Sequence, residues 1–461
     1  MSSATVDGAG PVVTVIVLNY NGAHLLPPCL EALAAQDLPS GQLAVWVVDN
    51  GSTDSSLELI EQDFPWVTMV RNSRNDGFAG GNNLGMRRVT TPFVALTNND
   101  ARPAPDWIRR LIAPFGTEGT GRLAATTGKI VFLPRFLELQ CSTPAFIPGG
   151  LDGRELGVRV YRVAVDGRDV TEHVLWDRVA YGPEGEGADR FRWTRPAGPL
   201  LLPVGLEGSA PGGPVSVRLR MAAETAKPVE LTWPGGGTTV KAGPQPEDVE
   251  LLLPEGLGLV DVLNNAGSVV FTDGYGADRA YQQIDRGQYD DPEEVFAFCG
   301  GAVCLRTEAL RDVGYFDDDF FMYYEDTDLS WRLWAGGWSI RYEPSSVTRH
   351  IHSASSVEWS PFFTFHVDRN RLLMLTKNAT AGLAASEVLR YPLTALSLAL
   401  RAVAQARHTG RRPPLRPTLL RLRVIGSYLR LLPLLLARRR RLRVRAQVRR
   451  RALQHRWLTP R

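Results

Sequence analysis

At 461 residues the chain exceeds one ordinary domain, so two or three are expected, and 44% apolar with 22% charged side chains is the balance of a soluble globular protein. The net charge of +3 conceals an asymmetry: residues 401–461 hold 19 arginines, no lysine and no acidic residue, which leaves 33 basic against 49 acidic side chains in residues 1–400, a charge of −16. The four cysteines (Cys29, Cys141, Cys299, Cys304) lack paired zinc-ligand spacing and fit a reducing cytosolic setting; the opening MSSATVDGAGPVV lacks a signal-peptide pattern, and the apolar run Leu393–Leu400 is too short to span a bilayer.

The continuous, β-branched run Val12–Leu18 predicts a strand buried on both faces of a parallel sheet. Asn19-Tyr20-Asn21-Gly22 turns the chain into a helix with apolar Leu26, Leu30 and Leu33. A second buried strand, Leu43–Val48, ends on Asp49 and is followed by a helix through Leu57 and Ile60 and a strand over Val67–Val70. This βαβαβ order opens a Rossmann-like nucleotide-binding sheet, whose ligands sit beyond the strand C-termini. Asp49 lies at that edge, where a carboxylate either accepts from a base or ribose or closes an Asx-turn. Asn75–Gly85, NDGFAGGNNLG, suits a loop that brings its backbone close to a ligand and opens a helix; it matches neither the Walker pattern nor GxGxxG. The short strand Val94–Leu96 stops on Thr97-Asn98-Asn99-Asp100. Such an end can hold a hard cation against a diphosphate, with water and phosphate oxygens completing the shell, or it is an Asn-rich turn.

Over residues 135–259 the pattern changes to short alternating runs, Val158–Val165, Val215–Leu219, Val229–Trp233 and Val249–Leu253, separated by turns such as Pro234-Gly235-Gly236-Gly237. This predicts an inserted antiparallel β-sandwich. Trp176, Trp193 and Trp233 suggest that it seats a carbohydrate; a structural or oligomerising insert is the alternative. The stretch Gly314–Arg332, GYFDDDFFMYYEDTDLSWR, sets six acidic side chains among aromatics and then runs into helical spacing. Glu325, Asp328 and Arg332 share one helix face. Asp326 lies beside Phe320, Phe321, Tyr323 and Tyr324, where loss of solvent raises a carboxylate toward the strength of a general base. A helix N-terminus with an Asp328–Arg332 pair is the plainer alternative. Beyond Asn378, amphipathic helices are expected over Leu393–Ala404 and Leu419–Leu436, the second broken near Pro433, before the basic cluster Arg438–Arg445. Arginine interleaved with leucine suits an anionic membrane leaflet; the alternative is a helical cap on the acidic body. No nucleic-acid reading motif is present, so nucleic acid is not an expected partner.

The VLNYN opening, Asp49 after the second strand, NDGFAGGNN, TNND and FFMYYEDTDLSWR, in this order, resemble a family-2 glycosyltransferase of the GT-A fold. The likeness is strongest to bacterial rhamnosyl- and galactofuranosyltransferases of cell-surface and cell wall polysaccharide assembly, over about residues 12–134 and 260–378. It implies an α/β chain: a GT-A Rossmann-like nucleotide-binding sheet with an inserted antiparallel β-sandwich and a C-terminal amphipathic helical region. The catalytic domain occupies 1–134 and 260–378, the insert 135–259 and the basic tail 379–461.

The resemblance puts the donor near Asn19, Tyr20, Asp49, Asn75, Gly77, Asn82, Asn99 and Asp100, with Arg286 approaching its diphosphate. Asn82 replaces an arginine common in relatives, and Asn98-Asn99-Asp100 keeps only the last aspartate of the family's Asp-x-Asp metal motif, which implies looser or donor-dependent binding of Mg²⁺ or Mn²⁺. Asp100 and His350 are the implied metal ligands, with His352 as the alternative histidine. Asp326 takes the base position, with Glu325 as its alternative. Gly300 and Gly301 let the backbone approach sugar and acceptor, and Trp331 offers a stacking surface. The implied reaction is an inverting transfer, metal-assisted, from a nucleotide-diphosphate sugar (rhamnose first, uridine-diphosphate sugars second) to a glycan or polyprenyl-linked acceptor. The enzyme would be cytoplasmic and peripheral on the inner membrane face, with a second copy of itself, in a homo-oligomer, among its candidate partners. The rivals are a catalytically weak glycan-binding or scaffold protein acting through the β insert, and a nucleotidyltransferase.

Overall fold

The computed structural model describes residues 10–117, 122–150, 152–176, 178–205, 213–351, 360–409 and 415–460. They fall into two compact units, one of Met1–Ile130, Asn265–Tyr281 and Gln288–Arg461, the other of Val131–Asn264 and Gln282–Gly287.

The first unit is built on a mixed sheet. Its strands are β1 (Val13–Asn19), β2 (Leu43–Asp49), β3 (Thr68–Arg71), β4 (Phe93–Asn98), β5 (Ala101–Pro103), β6 (Leu123–Phe132), β7 (Ala302–Arg306) and β8 (Ser339–His350). Helices α1 (Leu26–Ala34), α2 (Ser56–Asp63), α3 (Gly77–Met86) and α4 (Trp107–Ile112) connect the first strands. β1 pairs in parallel with both β2 and β4, and β2 with β3, whereas β7 runs antiparallel between β4 and β6. The chain therefore leaves β1 toward β3 and returns on its other side as β4, which makes the ends of β1 and β4 the switch point where such sheets bind ligands. Val13, Val15, Val17, Leu26, Leu30 and Trp107 are buried in one cluster, as expected where a helix covers a strand without a polar face. The four cysteines are free thiols.

Helix α3 departs from expectation. The Gly-rich stretch is mostly helix, not loop, and two of its glycines face the sheet. A Cβ at Gly85 would stand 2.8 Å from Ile16 Cδ1 and 3.0 Å from Val48 Cγ2, and one at Gly81 would overlap Leu18. Here glycine serves close approach of helix to strand rather than approach to a ligand.

The second unit holds two antiparallel sheets, one including Arg159–Val165, Val215–Ala222 and Glu247–Leu253, the other Arg135–Ser142, Ala197–Val204, Lys227–Trp233 and Gly236–Ala242. Leu139 and Leu202 from one sheet share a core with Val163 and Leu219 from the other, which is a sandwich. Two of its three tryptophans are buried and so are withdrawn from any sugar-binding face. Trp176 belongs to that core, Trp193 is buried between Phe146 and Phe191, and Trp233 is packed against the core.

The first unit ends in helices α5 (Thr307–Val313), α6 (Glu325–Ala335), α7 (Pro361–Asn378), α8 (Ala381–Thr409), α9 (Leu415–Arg445) and α10 (Arg450–Trp457). α9 runs on through Pro433 without a break. Proline removes one N–H and frees the carbonyl one turn back, at Leu429; both residues face solvent, where water can take that carbonyl. The tail also caps the body. Arg438 donates to Asp317 at 2.7 Å and to Asp319 at 2.6 Å, Arg450 donates to the Asn378 carbonyl, and Trp457 packs on Trp334.

Candidate active site

The site forms where β1 and β4 end. Asn19 is the last residue of β1, directly across from Asp49 on β2. Its Nδ2 donates to Asp49 Oδ1 at 3.3 Å, and its Oδ1 accepts from Asn99 Nδ2 at 2.9 Å, so one buried amide ties β2, β1 and the end of β4 together. Asp49 Oδ2 accepts from the backbone N–H groups of Gly51 and Ser52, at 3.2 and 3.0 Å. Asp49 is therefore a buried Asx-turn residue. Tyr20, the next residue after Asn19, is 48% exposed and is the open ring at this edge.

Asn75 and Gly77 shape the start of α3. Asn75 Oδ1 accepts from Asn50 Nδ2 and from the Gly77 N–H, both at 2.9 Å. Asn82 is buried with its amide on the Phe78 carbonyl, so it does not front the cleft as a donor contact would. The cause is helical: a residue four positions after Phe78 turns back onto its own helix.

Asp100 and His350, 250 residues apart, are brought together because β5 pairs antiparallel with β8 and sets Ala101 opposite His350. His350 Nε2 lies 3.0 Å from Asp100 Oδ1 and 3.1 Å from Asn98 Nδ2. One ring nitrogen carries either a proton or a lone pair, so it cannot satisfy a carboxylate oxygen and an amide nitrogen at once. With the Asn98 amide turned over, a carboxylate oxygen, an imidazole nitrogen and an amide oxygen converge, a donor set that suits Mg²⁺ or Mn²⁺. Among the described residues no three His, Cys, Asp or Glu side chains gather to hold a metal, so oxygens of a bound diphosphate would have to complete the shell. His352 lies outside the described residues.

Gly300 and Gly301 link this cluster to the acidic stretch. The Gly300 N–H donates to Asp326 Oδ2 at 3.4 Å, and a Cβ at Gly301 would stand 3.2 Å from Asn98 Nδ2. The polar line thus runs from Asp100 through His350, Asn98 and the Gly-Gly turn to Asp326.

Asp326 is half-buried in the first turn of α6. Burial pushes its carboxyl up to about 6, with Asp278 adding to the rise; hydrogen bonds from Thr327 and Gly300 oppose it. Glu325 beside it is buried, with one carboxyl oxygen lacking a partner among the described residues, and burial followed by the Asp326 charge lifts it well above the usual carboxylate range. Of the two carboxyls Asp326 is the more exposed, and its Oδ2 accepts from the Gly300 N–H. Trp331 is fully buried against Phe296 and is a core residue, not a stacking surface. Aromatic residues on the inner face of an amphipathic helix pack inward. Arg286 belongs to the second unit, where it pairs with Glu138 at 2.9 Å.

The sequence reading missed the supports of Asp326. Phe321, Tyr323 and Tyr324 all have positive φ, an uncommon backbone for such side chains. Asn370 on α7 holds them: its Nδ2 lies 2.9, 2.8 and 2.7 Å from the carbonyls of Phe320, Met322 and Tyr323. Behind α6, Asp328 is fully buried and accepts from Arg332 at 2.9 Å, Lys377 at 2.9 Å and Asn378 at 2.7 Å. The available signal was the set of polar residues Arg369, Asn370, Lys377 and Asn378 interrupting a leucine-rich helix.

Two family models match the chain, "Glycosyl transferase family 2" over residues 14–132 and "Glycosyl transferase family group 2" over residues 258–364. Among curated proteins, "Glycosyltransferase AglE" of Haloferax volcanii is 29% identical over 114 residues, 24% of this chain and 37% of that protein. The "N-acetylglucosaminyl-diphospho-decaprenol L-rhamnosyltransferase" of Mycobacterium tuberculosis is 42% identical over 62 residues, 13% of this chain and 20% of that protein. The matched stretch thus spans well under half of either relative. A solved structure of GalNAc-T7 with UDP, GalNAc and Mn²⁺ is similar at 12% identity and a TM-score of 0.44, covering 80% of this chain and 48% of that one, a likeness too slight to bear on the reaction.

Proposed function

We propose that the chain is a family-2 glycosyltransferase, as the two matching family models support, and that it moves a sugar from a nucleotide-diphosphate donor to a hydroxyl of a glycan or polyprenyl-linked acceptor, with inversion. The observation that supports this is that Asp100, His350 and Asn98 converge beside the Gly300-Gly301 turn, whose Gly300 N–H donates to Asp326 Oδ2 at 3.4 Å.

Tyr20 at the switch point offers a stacking face for the nucleotide base. Asp100, His350 and the Asn98 amide would hold Mg²⁺ or Mn²⁺, which when bound offsets negative charge on the departing diphosphate. Asp326 removes the proton from the acceptor hydroxyl as that oxygen attacks the anomeric carbon from the side opposite the diphosphate. One carboxylate suffices for a single displacement, which inverts the centre. The Gly300 N–H on Asp326 Oδ2 orients the carboxylate.

Deoxythymidine-diphosphate rhamnose is the first donor to test, supported by the identity with the rhamnosyltransferase, and uridine-diphosphate sugars the second. A polyprenyl-linked acceptor puts the reaction at the inner face of the cell membrane. The rival glycan-binding reading is weakened by the burial of Trp176 and Trp193 in the insert. Product analysis by mass separates sugar transfer from the pyrophosphate release of a nucleotidyltransferase.

The deciding experiment is thermal unfolding against a panel of sugar nucleotides, with and without Mn²⁺, then transfer assays on the donor that stabilises. At a hundred times its Kd a bound donor adds about 2.7 kcal/mol. His350→Ala is expected to erase at least tenfold of the Mn²⁺-dependent affinity for donor while leaving unfolding without ligand near that of the wild type. Absence of stabilisation by every sugar nucleotide, together with absence of transfer, would overturn the assignment.

A further inference from the structure

Helices α8 and α9 each bury one face and leave a leucine stripe on the other. On α8, Tyr391 donates to Asp368 at 2.8 Å and Glu387 accepts from Arg371 at 3.0 Å, which fixes the inner face against α7. Its outer face carries Leu389, Leu393, Leu396 and Leu400, 67, 67, 57 and 62% exposed, at spacings that keep them in line along the helix. On α9, Val424, Tyr428 and Leu435 are buried, and Tyr428 shares a hydrogen bond with Thr376 at 2.8 Å. Its outer stripe is Leu419, Leu422, Leu429 and Leu436, 57, 57, 55 and 45% exposed. Scattered surface leucines need no explanation; two stripes along helices of 29 and 31 residues do.

We propose that these two stripes form a docking face for the surface of an anionic phospholipid bilayer. Charge selects the occupant. From Val388 to the end of the sequence there is no acidic side chain, and Arg390, Arg401, Arg423 and Arg430 are exposed among the leucines. A second copy of the same face would bring arginine against arginine, whereas anionic headgroups neutralise them. No described helix is long and apolar enough to cross a membrane, so the helices lie along the interface, with leucines at the acyl boundary and guanidinium groups at headgroup level.

The face does not depend on the sugar-transfer assignment, and vesicle binding tests it without a donor. The full chain is sedimented with vesicles of phosphatidylglycerol and phosphatidylcholine, and with phosphatidylcholine alone. The expected result is co-sedimentation with the anionic vesicles that falls as salt is raised. A variant carrying Leu393→Gln, Leu396→Gln, Leu422→Gln and Leu429→Gln should bind at least tenfold less while keeping its thermal unfolding midpoint, since all four side chains are exposed. Wild-type protein that ignores anionic vesicles would overturn the proposal. So would a quadruple variant that binds as well as wild type, or a wild-type dimer that those four changes dissociate.

Discussion

Asp326→Asn is expected to lower kcat for sugar transfer by about 10³, within the range general base catalysis supplies, with donor binding retained. The pH dependence adds a second readout. The wild-type carboxyl is pushed up to about 6, mainly by burial, so kcat/KM should rise as pH increases through that value and the group ionises. The neighbouring charge that adds to the rise is that of Asp278. Stability should move the other way. The folded state holds the Asp326 proton more tightly than the unfolded chain, so this group's contribution is fullest at low pH and is lost as pH rises through its folded value. Asp326→Asn should therefore be the more stable protein at neutral pH. A variant that keeps wild-type kcat, or an unshifted acid limb, removes Asp326 from the base position.

The second large effect concerns the buried charges behind α6. Asp328→Ala removes the carboxylate that joins Lys377 and Arg332, leaving Lys377 on Asp317 and Arg332 on the carbonyls of Val313, Gly314 and Tyr315, and breaking such a buried group costs about 3 kcal/mol. Urea denaturation followed through the helical signal should show a lower midpoint. Here the sign of the pH term is reversed. Burial raises the Asp328 carboxyl, but Lys377 and Arg332 more than offset this and hold it below the usual range, so its contribution is present above the unfolded value near 4 and is lost as pH falls through the folded one. Wild-type protein should lose stability on acidification that the Asp328→Ala variant has already lost. An unchanged midpoint in Asp328→Ala would mean that α7 does not hold α6 through these bonds.

Much of this was legible in the chain because short-range physics produced it. Val13 to Asn19 is a strand buried on both faces, and its unbroken β-branched run says so without help from the rest of the molecule. The alternating runs of the insert do the same for a sheet with one wet face, as in Val215–Ala222. Reading failed where one composition serves two geometries. Glycines in a helix pressed on a sheet look like glycines in a loop, and tryptophans that fill a sandwich look like tryptophans that stack on sugar. At Pro433 the helix runs on where the proline and Leu429 face solvent, a matter of facing that composition does not record. The supports of Asp326 were out of reach for another reason: Asn370 meets its three carbonyls about 50 residues back, a pairing that exists only once α7 has docked.

The clamp of Arg438 on Asp317 and Asp319 bears on how the protein can be shortened. Cutting away the cationic end to ease handling would strip two carboxylates of a guanidinium partner just ahead of the positive-φ run that launches α6. A trimmed enzyme would then idle for a mechanical reason, with every reacting group still in its sequence, and its silence would say nothing about lipid.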